Sequence, residues 1–274
     1  MSGVMQIKSN GSSFHCRVDG ERGPWVLLSH GLATDLGMWD ELADQLKSRF
    51  RVLRYDARGH GGSAATEGDY TLDQLVADAV GILDAVDVRE AHFAGLSMGG
   101  MVGFGLMLDH PRRIRSAVIA DSRHTTTPDF TKAWLDRARA VRRGGIEAIL
   151  TSTVERWSSA GLAQRNPAVI VRMEKMIRNT SPAGYCGCAA ALARLNYGHR
   201  LGEIRIPTLV LCGTEDHGAP PENTRQMHAM IKGSRFLEIE QAGHISNIEQ
   251  PMIFNAAVAN LFDEVEQRGG SAVN

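Results

Sequence analysis

The chain has 274 residues, of which 43% are hydrophobic and 22% charged, and its formal net charge is −1. This composition can bury a sizeable core, and it lacks the basic excess on which bulk nucleic-acid binding rests. No apolar run reaches the roughly 18–20 residues of a membrane-spanning helix, and Met1 to Gly11 lacks the apolar centre of a signal peptide. Cys16, Cys186, Cys188 and Cys212 are scattered without paired metal-ligand spacing. They read as buried thiols of a reduced, cytoplasmic protein that holds no metal.

Trp25-Val26-Leu27-Leu28 reads as a short buried strand ending in Ser29-His30-Gly31. Met38, Trp39, Leu42 and Leu46 then repeat at a helical period. Phe50 to Tyr55 is a strand, and Asp56 to Gly62 is a polar, glycine-rich turn whose Asp56 and Arg58 tie neighbouring loops together. Thr71 caps a helix from Leu72 to about Val86. The run Ala91 to Ala94 is a strand, followed by Gly95-Leu96-Ser97-Met98-Gly99 and a helix from Gly99 to His110 that Pro111 stops. Ala117 to Ala120 forms another strand.

Strand signals then cease from Ser122 to about Gly202, where Thr131 to Val141, Ile146 to Trp157, Val169 to Ile177 and Ala189 to Leu195 look helical. Alternation resumes with Pro207 to Cys212 (strand), Glu222 to Ile231 (helix), Phe236 to Ile239 (strand) and Pro251 to Glu266 (helix). Such alternation implies a doubly wound α/β sheet, mostly parallel, carrying one helical insertion.

A serine flanked by glycines two positions either side, between strand and helix, fits a sharp turn that lifts Oγ to the top of a sheet. An unaided hydroxyl is a weak nucleophile, so Ser97 needs a base, and the base needs a carboxylate to orient it. Loops at the carboxyl ends of the strands converge on one crevice. His244 follows the last strand and Asp216 the one before, giving the order Ser, Asp, His. Asp121 and Glu215 are alternative positions for the acid. His60, His110, His124, His199 and His228 are left as surface or packed residues. The amides of Met98 and Leu32 are the candidate donors for an oxyanion.

These features resemble the α/β-hydrolase family over almost the whole chain. Within it the chain resembles 3-oxoadipate enol-lactonases at Met38-Trp39-Asp40, Phe50 to Asp56 with Arg58-Gly59-His60-Gly61, Gly95 to Gly100, and His244 to Glu249. It departs at His30-Gly31, where those enzymes tend to carry Asn-Ser. The resemblance implies an α/β-hydrolase core at 1–121 and 203–274, with a helical cap insertion at 122–202.

Twelve basic residues face five acidic ones between Thr125 and Arg200. That excess suits a carboxylate-bearing substrate, with Trp134, Arg137 and Trp157 as candidate pocket residues. The reading is a serine hydrolase of a small ester or lactone that needs no cofactor. It acts on a small molecule, engages neither nucleic acid nor membrane, and leaves a homo-oligomer open. Alternatives on the same residues are a carbon–carbon hydrolase of ring-cleavage products, a cofactor-free perhydrolase, an amidase, or a ligand receptor.

Overall fold

Among the described residues eight strands form one sheet: β1 (Gly3–Ser9), β2 (Ser12–Asp19), β3 (Trp25–Ser29), β4 (Arg51–Tyr55), β5 (Ala91–Leu96), β6 (Ile114–Ala120), β7 (Thr208–Gly213) and β8 (Arg235–Ile239). Their order is β1-β2-β4-β3-β5-β6-β7-β8. Every pairing from β4 to β8 is parallel, while β1 pairs antiparallel with β2, and β2 with β4. The computed structural model describes residues 3–271, so residues 1 and 274, the ends of the expected core segments, lie outside the described residues.

All six residues of β5 are buried. Successive side chains on a strand point to opposite faces, so both faces of the sheet are covered here. The helices are α1 (Asp40–Leu46), α2 (Leu72–Ala85), α3 (Met98–Asp109), α4 (Pro128–Gly144), α5 (Leu150–Trp157), α6 (Leu162–Arg165), α7 (Pro167–Arg178), α8 (Pro182–Leu192), α9 (Pro221–Met230), α10 (Ser246–Glu249) and α11 (Pro251–Ser271). Helix α3 packs on β3, β5 and β6 and against α2, whereas α11 packs on β6 and α1. Among the described residues no helix is long and apolar enough to cross a membrane.

Local chemistry sets the helix starts. The side chain of Thr71 accepts the Gln74 amide, Thr127 accepts the Phe130 amide, and Ser181 accepts the Gly184 amide. Such a cap is worth about 1 kcal/mol, and Pro128 and Pro182 sit where a missing N–H costs nothing.

Several boundaries depart from those expected. The helix expected over Met38 to Leu46 is a 3₁₀ turn (Leu36–Trp39) followed by α1, and the one over Ile146 to Trp157 is a 3₁₀ turn (Ile146–Ile149) followed by α5. The helix expected at Ala189 to Leu195 is α8, which starts at Pro182 and ends at Leu192. Because α8 is buried on nearly every side, its residues show no amphipathic period. The first hairpin, β1 and β2, was not anticipated. It turns through Asn10 and Gly11, with φ of 46° and 67°, which is the two-residue turn that Asn-Gly favours.

Candidate active site

Ser97 has φ of +55° at the junction of β5 and α3. Holding a non-glycine residue there costs on the order of 1–3 kcal/mol, which the buried strand and helix around it must offset. Glycine is required beside it. A Cβ on Gly95 would lie 2.4 Å from the Gly99 carbonyl oxygen, and one on Gly99 would lie 2.0 Å from the Ser29 carbonyl oxygen.

The turn presents Ser97 Oγ 2.9 Å from His244 Nε2. His244 Nδ1 lies 2.9 Å from each carboxylate oxygen of Asp216. Asp216 also accepts the Gly218 and Ala219 amides, at 2.6 and 2.8 Å. With amides donating to the carboxylate, it acts as an acceptor toward Nδ1, so Nδ1 carries the proton and Nε2 is free to accept from the serine hydroxyl. Gly218 lets this loop close over the imidazole, since a Cβ there would stand 2.7 Å from His244 Nδ1.

The two competing carboxylates are engaged elsewhere. Asp121 accepts the Gly213 amide at 2.8 Å and is hydrogen-bonded to Ser246 Oγ at 2.5 Å. Burial, and then the nearby charge of Asp216, push the Asp121 carboxyl well above the usual range. Glu215 accepts the Ala160 amide at 2.6 Å.

The loop after β3 runs alongside the serine, for a Cβ on Gly31 would sit 3.4 Å from Ser97 Cβ. Two buried histidines hold it. His30 Nε2 accepts the Ala57 amide at 2.8 Å, and His60 Nε2 accepts the Ala33 amide at 3.0 Å. Their Nδ1 atoms donate to the carbonyls of Gly31 and Arg58. Among the described residues the Leu32 amide has no protein acceptor, in contrast to Ala33 and Thr34 beside it. Met98 opens α3, where the first amides of a helix are unsatisfied and its dipole is positive.

His60, left open as a surface or packed residue, is buried, and desolvation lowers its pKa to about 3. A base with a depressed folded-state pKa stays neutral while the unfolded chain takes up a proton. Its contribution therefore falls as pH drops from about 6.5 toward about 3. The melting temperature is expected to decline over that window. His60→Gln keeps an acceptor for Ala33 and should make the decline shallower. An unchanged pH slope in that variant would contradict the assignment.

A family model described as the alpha/beta hydrolase fold matches residues 24–251. The chain belongs to the alpha/beta hydrolase family. It is 33% identical to 3-oxoadipate enol-lactonase 2 of Acinetobacter baylyi over 86% of this chain and 87% of that one. It is 34% identical to 3-oxoadipate enol-lactonase 1 of the same organism, over 92% and 93%. The solved enol-lactonase of Burkholderia xenovorans superposes with a TM-score of 0.91 at 35% identity, covering 94% of this chain and all of the other.

In this alpha/beta hydrolase the helices between β6 and β7 are tied directly to the histidine loop. The His244 amide donates to the Trp157 carbonyl at 2.8 Å. Glu249 accepts the amides of Gly243 (3.1 Å) and Ser159 (3.3 Å) and the Ser159 hydroxyl. Burial raises the Glu249 carboxyl above its ordinary value. Trp134 and Trp157 are both buried, and Arg137 is half-buried with its Nη1 3.4 Å from Thr153 Oγ1. Most other arginines of the segment pair with surface carboxylates, among them Arg139 with Asp136, Arg172 with Glu41 and Arg178 with Glu147. Sequence reasoning passed over Arg123, Arg156 and Glu249. The position of Glu249 shortly after the histidine was the one local signal, and the two arginines had none.

Proposed function

We propose that this chain is a serine hydrolase of small, carboxylate-bearing esters or lactones that works through an acyl-enzyme. The observation that carries this reading is the unbroken hydrogen-bond line from Ser97 Oγ through His244 to Asp216. Its likeness to enol-lactonases over nearly the whole chain supports a lactone or ester as the substrate class.

Ser97 Oγ attacks the carbonyl carbon as His244 Nε2 takes its proton. Asp216 holds the imidazole in the tautomer that accepts at Nε2 and stabilises the imidazolium that forms. The amides of Leu32 and Met98 donate to the oxyanion. Removing one such donor typically costs 10²–10³ in rate. Collapse breaks the bond between the acyl carbon and the leaving oxygen, which receives the proton from His244. In a lactone that oxygen stays attached to the acyl group. Water then gives a proton to His244, attacks the ester, and releases the acid and Ser97.

Residues 122–202 serve as a cap over this crevice. Trp134 and Trp157 shape its wall, and Arg137 grips a substrate carboxylate. The tie between Trp157, Ser159 and the His244–Glu249 turn fixes one corner of that cap, which accounts for how a helical segment can set the position of the catalytic base.

A fluorophosphonate probe should label Ser97 in the wild-type protein, located by peptide mass, and the label should require native structure. Turnover should extend to enol-lactones and short-chain aryl esters, with carboxylate-bearing members favoured over neutral ones of equal size. Absence of both labelling and turnover would overturn the reading. A carboxylate-blind panel would remove the anionic substrate class.

A further inference from the structure

Three guanidiniums around this crevice lack a carboxylate partner. Arg123, Arg137 and Arg156 are each half-buried, and among the described residues none of them forms an ion pair. Arg123 donates from Nε to the Gly218 carbonyl at 3.3 Å and lies 4.4 Å over the Phe130 ring. Gly218 is also the residue whose amide binds Asp216, so Arg123 stands beside the triad. Arg156 lies 5.4 Å over the Trp134 ring, which packs edge-on against Phe130 at 5.7 Å. Phe130, Trp134 and Arg137 share one face of α4 at i, i+4 and i+7. The three cations therefore belong to a single cluster.

Local charges do not neutralise it. Burial and then the field of Arg137 lower the Arg156 guanidinium to about 10, and Asp216 pulls the other way. Asp216 also acts on Arg123, whose pKa burial lowers. Burial and the charge of Asp216 raise the Asp121 carboxyl, while burial and the charge of Arg123 lower the His124 imidazole. Asp216 acts on both Arg123 and Arg156, and the three guanidiniums outnumber it. In addition, Arg156 Nε and Trp134 Nε1 are sealed from solvent without an acceptor among the described residues. Unpaired cations in such a setting weaken the empty protein, and an anion would offset that cost.

We infer, resting on the hydrolase reading above, that the ligand of this crevice carries two anionic groups, the second held by Arg156 together with Arg123. One carboxylate occupies the planar fork of a single guanidinium or is straddled by two, so a ligand with one carboxylate leaves a third cation unmatched. The substrate class is then a small ester or lactone bearing two further carboxylates. Arg156 acts as a specificity-determining residue.

The test is competitive inhibition of Ser97-dependent aryl-ester hydrolysis by butyrate and by succinate, matched in length, at pH 8 and constant ionic strength. In the wild type, succinate should bind at least ~10-fold more tightly than butyrate, the gain of one charge-assisted pair. Arg156→Met should abolish most of that difference, and Arg156→Lys should restore part of it. Removing an unpaired sheltered charge should also raise the melting temperature of the ligand-free protein by about 2–4 °C. A merely structural arginine would lower it. Equal inhibition by the two acids in the wild type overturns the inference, as does a succinate advantage that survives Arg156→Met. Thermal shift by the same acids on Ser97→Ala reads binding without turnover. Succinate-selective binding in a protein that never hydrolyses an ester would count against the hydrolase reading, and ester hydrolysis without selectivity would count against the dianion alone.

Discussion

Ser97→Ala is expected to lower kcat toward a short-chain aryl ester by ~10⁵–10⁶-fold, the scale seen when the nucleophile of a triad is removed. The size of the loss follows from how the three side chains depend on one another. His244 Nε2 has Ser97 Oγ as its partner at 2.9 Å, and without it the imidazole has no proton to take from the protein. What remains is water attack on an ester polarised by the oxyanion amides, worth ~10³–10⁴ over solution. The fold should barely notice the change. Ser97 holds its backbone through its own amide to the Ala120 carbonyl and its carbonyl to the Met101 amide, and alanine preserves both. Melting temperatures of the two proteins should therefore agree within about 2 °C, on the scale where 1 kcal/mol moves a domain of this size by 2–4 °C. A rate loss below ~10-fold with the fold intact would remove Ser97 as nucleophile.

The parallel sheet was legible because each crossover leaves local signals, such as the apolar run of Ala91 to Ala94, the capping Thr71 and the stop at Pro111. Ser97, Asp216 and His244 were legible as candidates for a related reason, since each sits on a turn at a strand end and the fold carries those ends to one place. The first hairpin carried an equally local signal in Asn10-Gly11. In β2 the apolar Phe14, Cys16 and Val18 alternate with His15, Arg17 and Asp19, but β1, its hairpin partner, is exposed at most positions and carries little period of its own.

Arg123 and Arg156 illustrate what a sequence cannot express locally. The basic excess of the helical segment is visible by counting, but whether a given arginine is spent on a surface carboxylate depends on residues far away in the chain. Arg172 reaches Glu41 and Arg194 reaches Asp69 across 131 and 125 positions. Among the described residues Arg156 reaches no carboxylate, and nothing near it in the sequence distinguishes it from those. The choice between Asp121 and Asp216 has the same character. Both follow a strand, and only the packed structure directs Asp216 to His244 while closing Asp121 onto Gly213 and Ser246.

That difference separates two substitutions that look alike. Asp216→Asn is expected to cost ~10⁴ in kcat, because an amide in place of the carboxylate no longer requires the proton at Nδ1 and favours the tautomer that cannot accept from Ser97. Asp121→Asn should cost less than about tenfold by the same assay. Burial and the charge of Asp216 already push the Asp121 carboxyl toward its neutral form. An asparagine there can still accept the Gly213 amide, and its amide nitrogen can donate to Ser246 Oγ in place of the bond that the Ser246 hydroxyl now donates to Asp121, so both partners stay satisfied. The sign of the stability effect follows as well. A carboxyl whose folded-state pKa is raised favours folding below that pKa and loses the advantage as pH rises through it. Asn carries no such penalty, so Asp121→Asn should gain melting temperature relative to wild type on the alkaline side and draw level with it in acid. If Asp121→Asn instead lost activity as severely as Asp216→Asn, Asp121 would be an ionised partner of the histidine loop, and the two aspartates would have to be treated as one shared acid.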